Sequence, residues 1–145
     1  MIRALAAATV FASTVALLAT QASAEVVRSR VYLMRGLGGI LFSTALDKAA
    51  VKLRAAGHMV ILGGFEEWYA MAQDAAKHKG QRMVCNGHSR GAVRCGDFAR
   101  EVARLGGKVT TVYAIDPVFG GVPETPQVPR GTLLIVVRPY QVPGS

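Results

Sequence analysis

Acidic residues are scarce in this sequence: 9 Asp and Glu stand against 17 Lys and Arg, which leaves a formal net charge of +8. The basic residues are scattered, form no run and are not interleaved with aromatic residues. Nucleic-acid sites usually have clustered basic residues, often with aromatic residues between them, so we expect no nucleic-acid partner. A cationic protein that is exported would instead be attracted to anionic envelope surfaces.

Cysteine is also scarce, with Cys85 and Cys95 the two in the chain. Export would permit a disulfide. However, Cys85 is predicted on a strand and Cys95 on the helix that packs over it. Helix and sheet layers lie about 10 Å apart, whereas a disulfide needs Cα atoms within about 7 Å. We therefore expect two buried free thiols, and we expect neither a metal site nor a cofactor.

The first 24 residues have the order of a secretory signal peptide. Arg3 supplies an early positive charge, residues 4–20 are uncharged and mostly apolar, and Ala22-Ser23-Ala24 is a small-residue cleavage pattern. An uncleaved membrane anchor is the alternative, but the apolar stretch is short for a span of about 20 residues. We expect an exported protein, periplasmic or secreted, with residues 25–145 as a single domain.

The rest of the chain alternates between strand and helix patterns. The continuous apolar run 59–62 is typical of a buried parallel strand, and segments rich in apolar and β-branched residues predict further strands near 31–34, 82–86, 108–115 and 132–137. Between them, 3.6-residue periodicity predicts a helix from 43, and glycines at the ends of the next two segments predict helices over 66–79 and 92–105. This order predicts a three-layer α/β/α fold with a mostly parallel sheet of about five strands. The segment 116–130 is long for a loop and is a candidate functional loop.

One strand–turn–helix junction reads G-H-S-R-G, with Ser89 between Gly87 and Gly91. A G-x-S-x-G turn in this context is typical of a nucleophile elbow, which lifts the serine hydroxyl above the sheet. The amide of Arg90, at the start of the next helix, would then be one oxyanion donor. The alternative is an ordinary Gly-Ser turn.

Two further turns follow strands at the same predicted edge of the sheet. Arg35-Gly36-Leu37-Gly38-Gly39 would supply the second oxyanion donor, the Leu37 amide. A dinucleotide-binding turn is the alternative there, but the pattern needs glycine at position 41, which is Leu. Asp116, in Ile115-Asp116-Pro117, would orient a catalytic histidine, although Asp before Pro also commonly starts a turn.

These three motifs, R-G-L-G-G, G-H-S-R-G-A and I-D-P-V in that order, make the chain similar to the α/β-hydrolase superfamily, near its esterase and lipase branch. The resemblance implies hydrolysis of carboxylic esters, small-molecule or lipid, through an acyl-serine intermediate. Ser89 would be the nucleophile and Asp116 the acid. The family pattern also has a histidine after its final strand, and the chain reaches Ser145 without one. We therefore expect a C-terminally truncated member.

None of the three histidines is predicted to be the base. His58 precedes a strand and His78 ends a helix, so both belong to the edge opposite Ser89, about 15–17 Å away at ~3.3 Å per residue. His88 is adjacent to Ser89, but neighbouring side chains at the end of a strand diverge. The alternative to an esterase is therefore a non-catalytic, envelope-associated binding protein of the same fold.

Overall fold

The computed structural model describes residues 28–39 and 44–139. The predicted signal peptide lies outside these ranges. The first half contains strand β1 (Ser29–Arg35), helix α1 (Thr44–Ala55), strand β2 (Met59–Gly64), a 3₁₀ turn (Phe65–Glu67) and helix α2 (Trp68–Ala76). The second half contains strand β3 (Arg82–His88), helix α3 (Arg90–Arg104), strands β4 (Val109–Ile115), β5 (Val118–Phe119), β6 (Val122–Pro123) and β7 (Leu133–Val137).

The main sheet has five strands in the order β2-β1-β3-β4-β7, and every neighbouring pair is parallel. The carboxyl ends of β1, β3 and β4 therefore meet at one edge. The register places Met34 beside Gly87, and His88 beside Ile115. The predicted α/β fold is confirmed, and its three candidate turns follow three adjacent central strands.

Helices cover both faces of the sheet, which makes three layers. Val31 and Leu33 of β1 pack with Ala50 of α1 on one face. Tyr32 and Met34, which alternate with them, pack on the other face with buried residues of α2 and α3. Because a central strand is buried on both faces, its sequence is a continuous apolar run rather than an alternating one.

A polar network lies within this second face. The hydroxyl of Tyr32, a fully buried residue, donates to Asp74 Oδ2 at 2.8 Å and accepts from Arg30 Nε at 2.9 Å. Arg30 Nη2 also pairs with Asp74 Oδ2 at 2.8 Å. Burial raises the pKa of Tyr32, so its hydroxyl stays protonated and can donate. The network ties β1 to α2 without leaving the tyrosine hydroxyl unpaired.

Two predicted elements differ from the observed ones. The helix predicted over 66–79 begins as a 3₁₀ turn and ends at Ala76, because the backbone at Lys77 and His78 closes with short turn bonds to Asp74 and Ala75. The segment 116–130, predicted as a loop, contains the two-residue strands β5 and β6, which pair antiparallel. Its second half packs on α3, where Arg100 donates to the Gln127 carbonyl at 2.8 Å.

The expected free thiols are wrong, since Cys85 and Cys95 form a disulfide with Cα atoms 5.8 Å apart. A single residue, Ser89, separates β3 from α3, so the helix begins against the strand. A Cβ on Gly87 would overlap the backbone of Gly91, which shows how closely the two elements approach. The average distance of about 10 Å between helix and sheet layers does not apply to the first turns of a helix that begins one residue after its strand. Cys95 therefore lies close enough to Cys85 to form the disulfide.

No helix in the ranges 28–39 and 44–139 is both long enough and apolar enough to cross a membrane.

Candidate functional site

Ser89 has a backbone conformation that L-residues rarely adopt, with φ 56° and ψ −123°. It occupies the N-cap position of α3, yet its side chain makes no capping hydrogen bond. A serine in this position usually caps the helix with its hydroxyl. Strained conformations of this kind cost about 1–3 kcal/mol and are found mostly at functional sites. The ordinary-turn interpretation therefore fits Ser89 poorly.

The glycines on either side of Ser89 make this turn possible. A Cβ on Gly91 would overlap the carbonyl oxygen of Met34 in β1, and a Cβ on Gly87 would overlap the backbone of Gly91. Both positions are buried. The glycine requirement in G-H-S-R-G is thus steric, because α3 begins in contact with two strands.

The Gly-rich turn after β1 lies directly against Ser89. A Cβ on Gly36 would stand 2.8 Å from Ser89 Cβ and 3.4 Å from Ser89 Oγ. The turn is closed by the Gly39 amide, which donates to the Gly36 carbonyl at 3.2 Å. Leu37, whose amide is one predicted oxyanion donor, directly follows Gly36 in this turn. Arg90, whose amide is the other, directly follows Ser89 at the start of α3.

Arg35 anchors the same turn to α1. Its Nε donates to Asp47 Oδ2 at 3.2 Å, and its Nη2 donates to Asp47 Oδ1. The Arg35 hydrogen bonds hold the pKa of Asp47 below its usual range. A bidentate pair of this kind fixes orientation as well as distance, so it restrains the peptide that follows Arg35.

Asp116 follows β4, the strand next to that of Ser89. The Ser89 amide donates to the Ile115 carbonyl at 2.9 Å, and Ile115 directly precedes Asp116. This hydrogen bond therefore joins the ends of the two strands after which Ser89 and Asp116 lie. Asp116 also has a positive φ of 45°, and its amide donates to the Val137 carbonyl at 2.6 Å. An open cleft of about 350 Å³ is lined by Asp116, Pro123, Arg138 and Pro139.

The histidines lie where the sequence predicts. His58 Nδ1 accepts from the Ser29 amide at 3.1 Å, which holds it at the amino edge of β1. His78 Nε2 lies 3.9 Å from Asp74 Oδ1 at the end of α2. His88 is half-buried; it is the last residue of β3 and directly precedes Ser89. A groove of about 270 Å³ contains His58 but lies along the sheet surface and does not include Ser89.

A group of arginine and aromatic side chains adjoins Ser89, and we name it the Arg–aromatic cluster: Phe65, Trp68, Arg90, Arg94 and Phe119. The Arg90 guanidinium lies 5.6 Å from the Phe65 ring centroid and 5.3 Å from that of Phe119. The Arg94 guanidinium lies 5.8 Å from the Trp68 centroid and 5.3 Å from that of Phe119. The cluster joins the segment after β2, the start of α3 and β5.

Comparison with protein-family models, curated proteins and solved structures finds no match. Any proposal of function therefore rests on the geometry of the site.

Sequence patterns did not reveal the Arg–aromatic cluster. Its members come from three segments that are distant in sequence, and no spacing rule links them. The one available signal was that Phe65, Arg90 and Phe119 each follow a strand of a predicted parallel sheet, where carboxyl ends converge.

Proposed function

We propose that the protein is a serine hydrolase of the α/β-hydrolase superfamily, of esterase or lipase type, that acts on carboxylic esters. The observation that carries the proposal is the conformation of Ser89, with φ 56° and ψ −123° between two sterically required glycines and without a capping bond. In a nucleophile elbow the serine adopts a strained strand-to-helix turn of this kind. The five-stranded parallel sheet supports the assignment.

In the proposed reaction, Ser89 Oγ attacks the ester carbonyl carbon and loses its proton to a base. The amides of Leu37 and Arg90 donate to the oxyanion that develops on the carbonyl oxygen. The C–O bond to the alcohol then breaks, the alcohol leaves with a proton, and the acyl group stays on Ser89. Water attacks the acyl-serine, which releases the acid and restores the hydroxyl.

Asp116 would orient a histidine base and stabilise its protonated form. The positions of His58 and His78 at the other edge of the sheet argue against both in this role, and the sequence does not favour His88, which directly precedes Ser89. Without a positioned base, serine is a weak nucleophile, and loss of one triad member lowers kcat by several orders of magnitude. We therefore expect Ser89 in this chain to react slowly and stoichiometrically rather than turn over rapidly.

A fluorophosphonate probe tests this proposal when labelling is followed by intact-protein mass spectrometry. We expect one label on Ser89, and free imidazole should accelerate labelling because it would act as the base. Ser89→Ala should abolish the label, and Ser29→Ala, at a buried serine in β1, should retain it. Absence of imidazole-dependent labelling at Ser89 would overturn the proposal.

We also propose that the protein is exported. Cleavage after Ala24 would release a mature protein that begins at Glu25. The disulfide supports an oxidising compartment, because disulfides persist mainly outside the cytosol. N-terminal sequencing of the protein from a secreting host tests the cleavage. A start at Met1 in the mature protein would contradict it.

The positions of the histidines favour a second candidate, a non-catalytic protein that binds anionic envelope surfaces through its excess of basic over acidic residues. Such binding would weaken with salt. Cosedimentation with vesicles of phosphatidylglycerol, compared with phosphatidylcholine, tests it. Retention on the anionic vesicles at low salt, unchanged in Ser89→Ala and without Ser89 labelling, would favour this candidate over the hydrolase.

A further inference from the structure

Arg90 differs from the other buried and half-buried arginines of the described ranges in having no carboxylate partner. Arg30 pairs with Asp74, Arg35 with Asp47 and Arg94 with Asp97. Arg90 is half-buried, and its guanidinium has no hydrogen bond or ion pair with any residue in 28–39 or 44–139. Its charge is thus partly removed from water without a carboxylate of the described ranges in hydrogen-bonding or ion-pair contact.

Two aromatic rings hold this guanidinium in place. Its carbon lies 5.6 Å from the Phe65 centroid and 5.3 Å from the Phe119 centroid, within the range of cation–π attraction. A cation–π contact does not use the N–H donors of the guanidinium in a hydrogen bond. The planar fork of these donors matches the two oxygens of a carboxylate. Arg90 therefore has two aromatic neighbours and unused hydrogen-bonding capacity.

The position of Arg90 connects this capacity with Ser89. Arg90 is the next residue in the chain, and its aromatic neighbours follow the carboxyl ends of β2 and β4. A group bound by the guanidinium would lie at the same sheet edge as the Ser89 hydroxyl. Arg94, one turn along α3, already contacts Asp97 at 2.6 Å, and Arg100 contacts the same carboxylate. Arg90 is therefore the guanidinium at the start of α3 that has no carboxylate partner in the described ranges.

We propose that the Arg90 side chain binds a carboxylate on the substrate, so that the preferred substrates are esters that also carry a free carboxylate group. This inference rests on the proposed ester hydrolysis and specifies its substrate class. A carboxylate carries one negative charge, which the half-buried Arg90 guanidinium would neutralise. A phosphate dianion would bring a second negative charge, whereas the neighbouring Arg94 already contacts Asp97.

The test compares the binding of monomethyl adipate, a half-ester, with that of its neutral amide, methyl 6-amino-6-oxohexanoate. NMR chemical-shift titrations use the Ser89→Ala chain, in which no acyl-serine forms. We expect the half-ester to bind at least about tenfold more tightly, as a charged hydrogen-bonded pair implies. Equal dissociation constants for the two probes would overturn the proposal.

Three further variants in the Ser89→Ala background test whether Arg90 causes the preference for the half-ester. Arg90→Gln should lower the ratio of dissociation constants to below about threefold, and Arg90→Lys should retain part of it because the charge remains but the fork is lost. Arg104→Gln, on the same helix and with the same charge change, should leave the ratio intact. An unchanged ratio in Arg90→Gln, or equal losses in Arg90→Gln and Arg104→Gln, would overturn the assignment to Arg90.

Competition titrations distinguish a carboxylate from a phosphate as the anion that Arg90 binds. Acetate should displace the half-ester at a lower concentration than inorganic phosphate does, and the reverse order would exclude a carboxylate site. These titrations do not depend on the reactivity of Ser89. Labelling of Ser89 without half-ester preference would overturn the Arg90 proposal alone, whereas half-ester preference without labelling would overturn the hydrolase and leave an anion-binding site.

Discussion

The residue that most constrains the candidate site is Ser89, whose backbone is strained and held from three sides. Its amide bonds to the Ile115 carbonyl at 2.9 Å, its carbonyl accepts from the Ala92 amide at 3.0 Å, and Gly36 packs against its side chain. A conformation that costs about 1–3 kcal/mol persists when its surroundings allow no other. The hydroxyl is thus presented at the sheet edge rather than folded back onto α3.

Gly91→Ala tests how strongly this packing holds the elbow. The added Cβ would overlap the Met34 carbonyl, a backbone atom that cannot move independently of β1. We expect the free energy of unfolding to fall by about 1–3 kcal/mol, as for overpacked cores, and Ser89 labelling to slow. Urea denaturation measures the first effect.

The matched control is Gly80→Ala, where an added Cβ meets nothing within 4 Å. This variant should change the free energy of unfolding by less than about 1 kcal/mol, on the stabilising side, because alanine reduces the entropy of the unfolded chain. Equal destabilisation by the two substitutions would contradict the steric explanation for Gly91.

Asp74 is the residue that should make stability depend on acid pH. Burial disfavours its ionised form, but hydrogen bonds from Arg30 and Tyr32 outweigh burial and lower the pKa of Asp74 below its ordinary 3.8. A lowered pKa contributes stability that is present above 3.8 and is lost as the pH falls through the folded-state pKa. Because Asp74 is partly exposed, solvent screening reduces this contribution.

We therefore expect Asp74→Asn to be less stable than the unsubstituted chain at pH 6 and to lose less further stability between about pH 4 and pH 2. Urea midpoints at several pH values measure both effects. Glu124→Gln, at an exposed carboxylate without an ion pair in the described ranges, is the control and should follow the unsubstituted chain. Parallel pH curves for Asp74→Asn and the unsubstituted chain would contradict the prediction.

At the scale of elements, β3 and α3 form a unit that carries Ser89 at its bend. The disulfide joins Cys85 of β3 to Cys95 of α3 across a sequence separation of 10 residues, with Ser89 inside the closed loop. Both cysteines are fully buried among Tyr32, Met83 and Phe98. The bend is therefore fixed by a covalent bond as well as by the glycine contacts.

Breaking this disulfide should lower the free energy of unfolding by about 3 kcal/mol, the value that chain-entropy arguments give for a loop of this size. Urea titrations with and without a phosphine reductant measure the difference. The variant Cys85→Ala/Cys95→Ala should be less stable and insensitive to reductant. An unchanged midpoint in the unsubstituted chain, with free thiols demonstrated by thiol titration, would contradict the prediction.

At the scale of the whole molecule, the described elements cover one side of the sheet less than the other. α1 packs over β1 and β2, and no described helix covers β3, β4 and β7 on that face. β7 is an edge strand, and Leu133 and Val137 are 57% and 49% exposed. Exposed apolar edge strands readily pair with other chains.

Self-association through β7 should therefore be visible, and Leu133→Lys should reduce it because a charged side chain disfavours edge pairing. Sedimentation velocity over a concentration series measures the change as a fall in average mass. The control is Val51→Lys, which adds the same charge at an exposed valine of α1. Equal effects of the two substitutions would indicate general charge repulsion instead of edge pairing.

The sequence by itself determined the alternation of elements and the edge at which the candidate site lies. Apolar runs such as 31–34 predict buried strands because both faces of a central strand are covered. Parallel strands then bring Gly36, Ser89 and Asp116 to one edge whatever the details of packing. The predicted positions of His58 and His78 follow from the same rule.

Only the tertiary structure decided the features that depend on local distances. The disulfide forms because α3 leaves β3 after a single residue, which brings Cys95 closer to Cys85 than average layer spacing allows. The strained φ of Ser89 and the rings around Arg90 depend on contacts between segments far apart in the chain. Periodicity reports which face of an element is buried, but not which side chains from other elements meet there, and it is these contacts that hold Ser89 and Arg90 at the sheet edge.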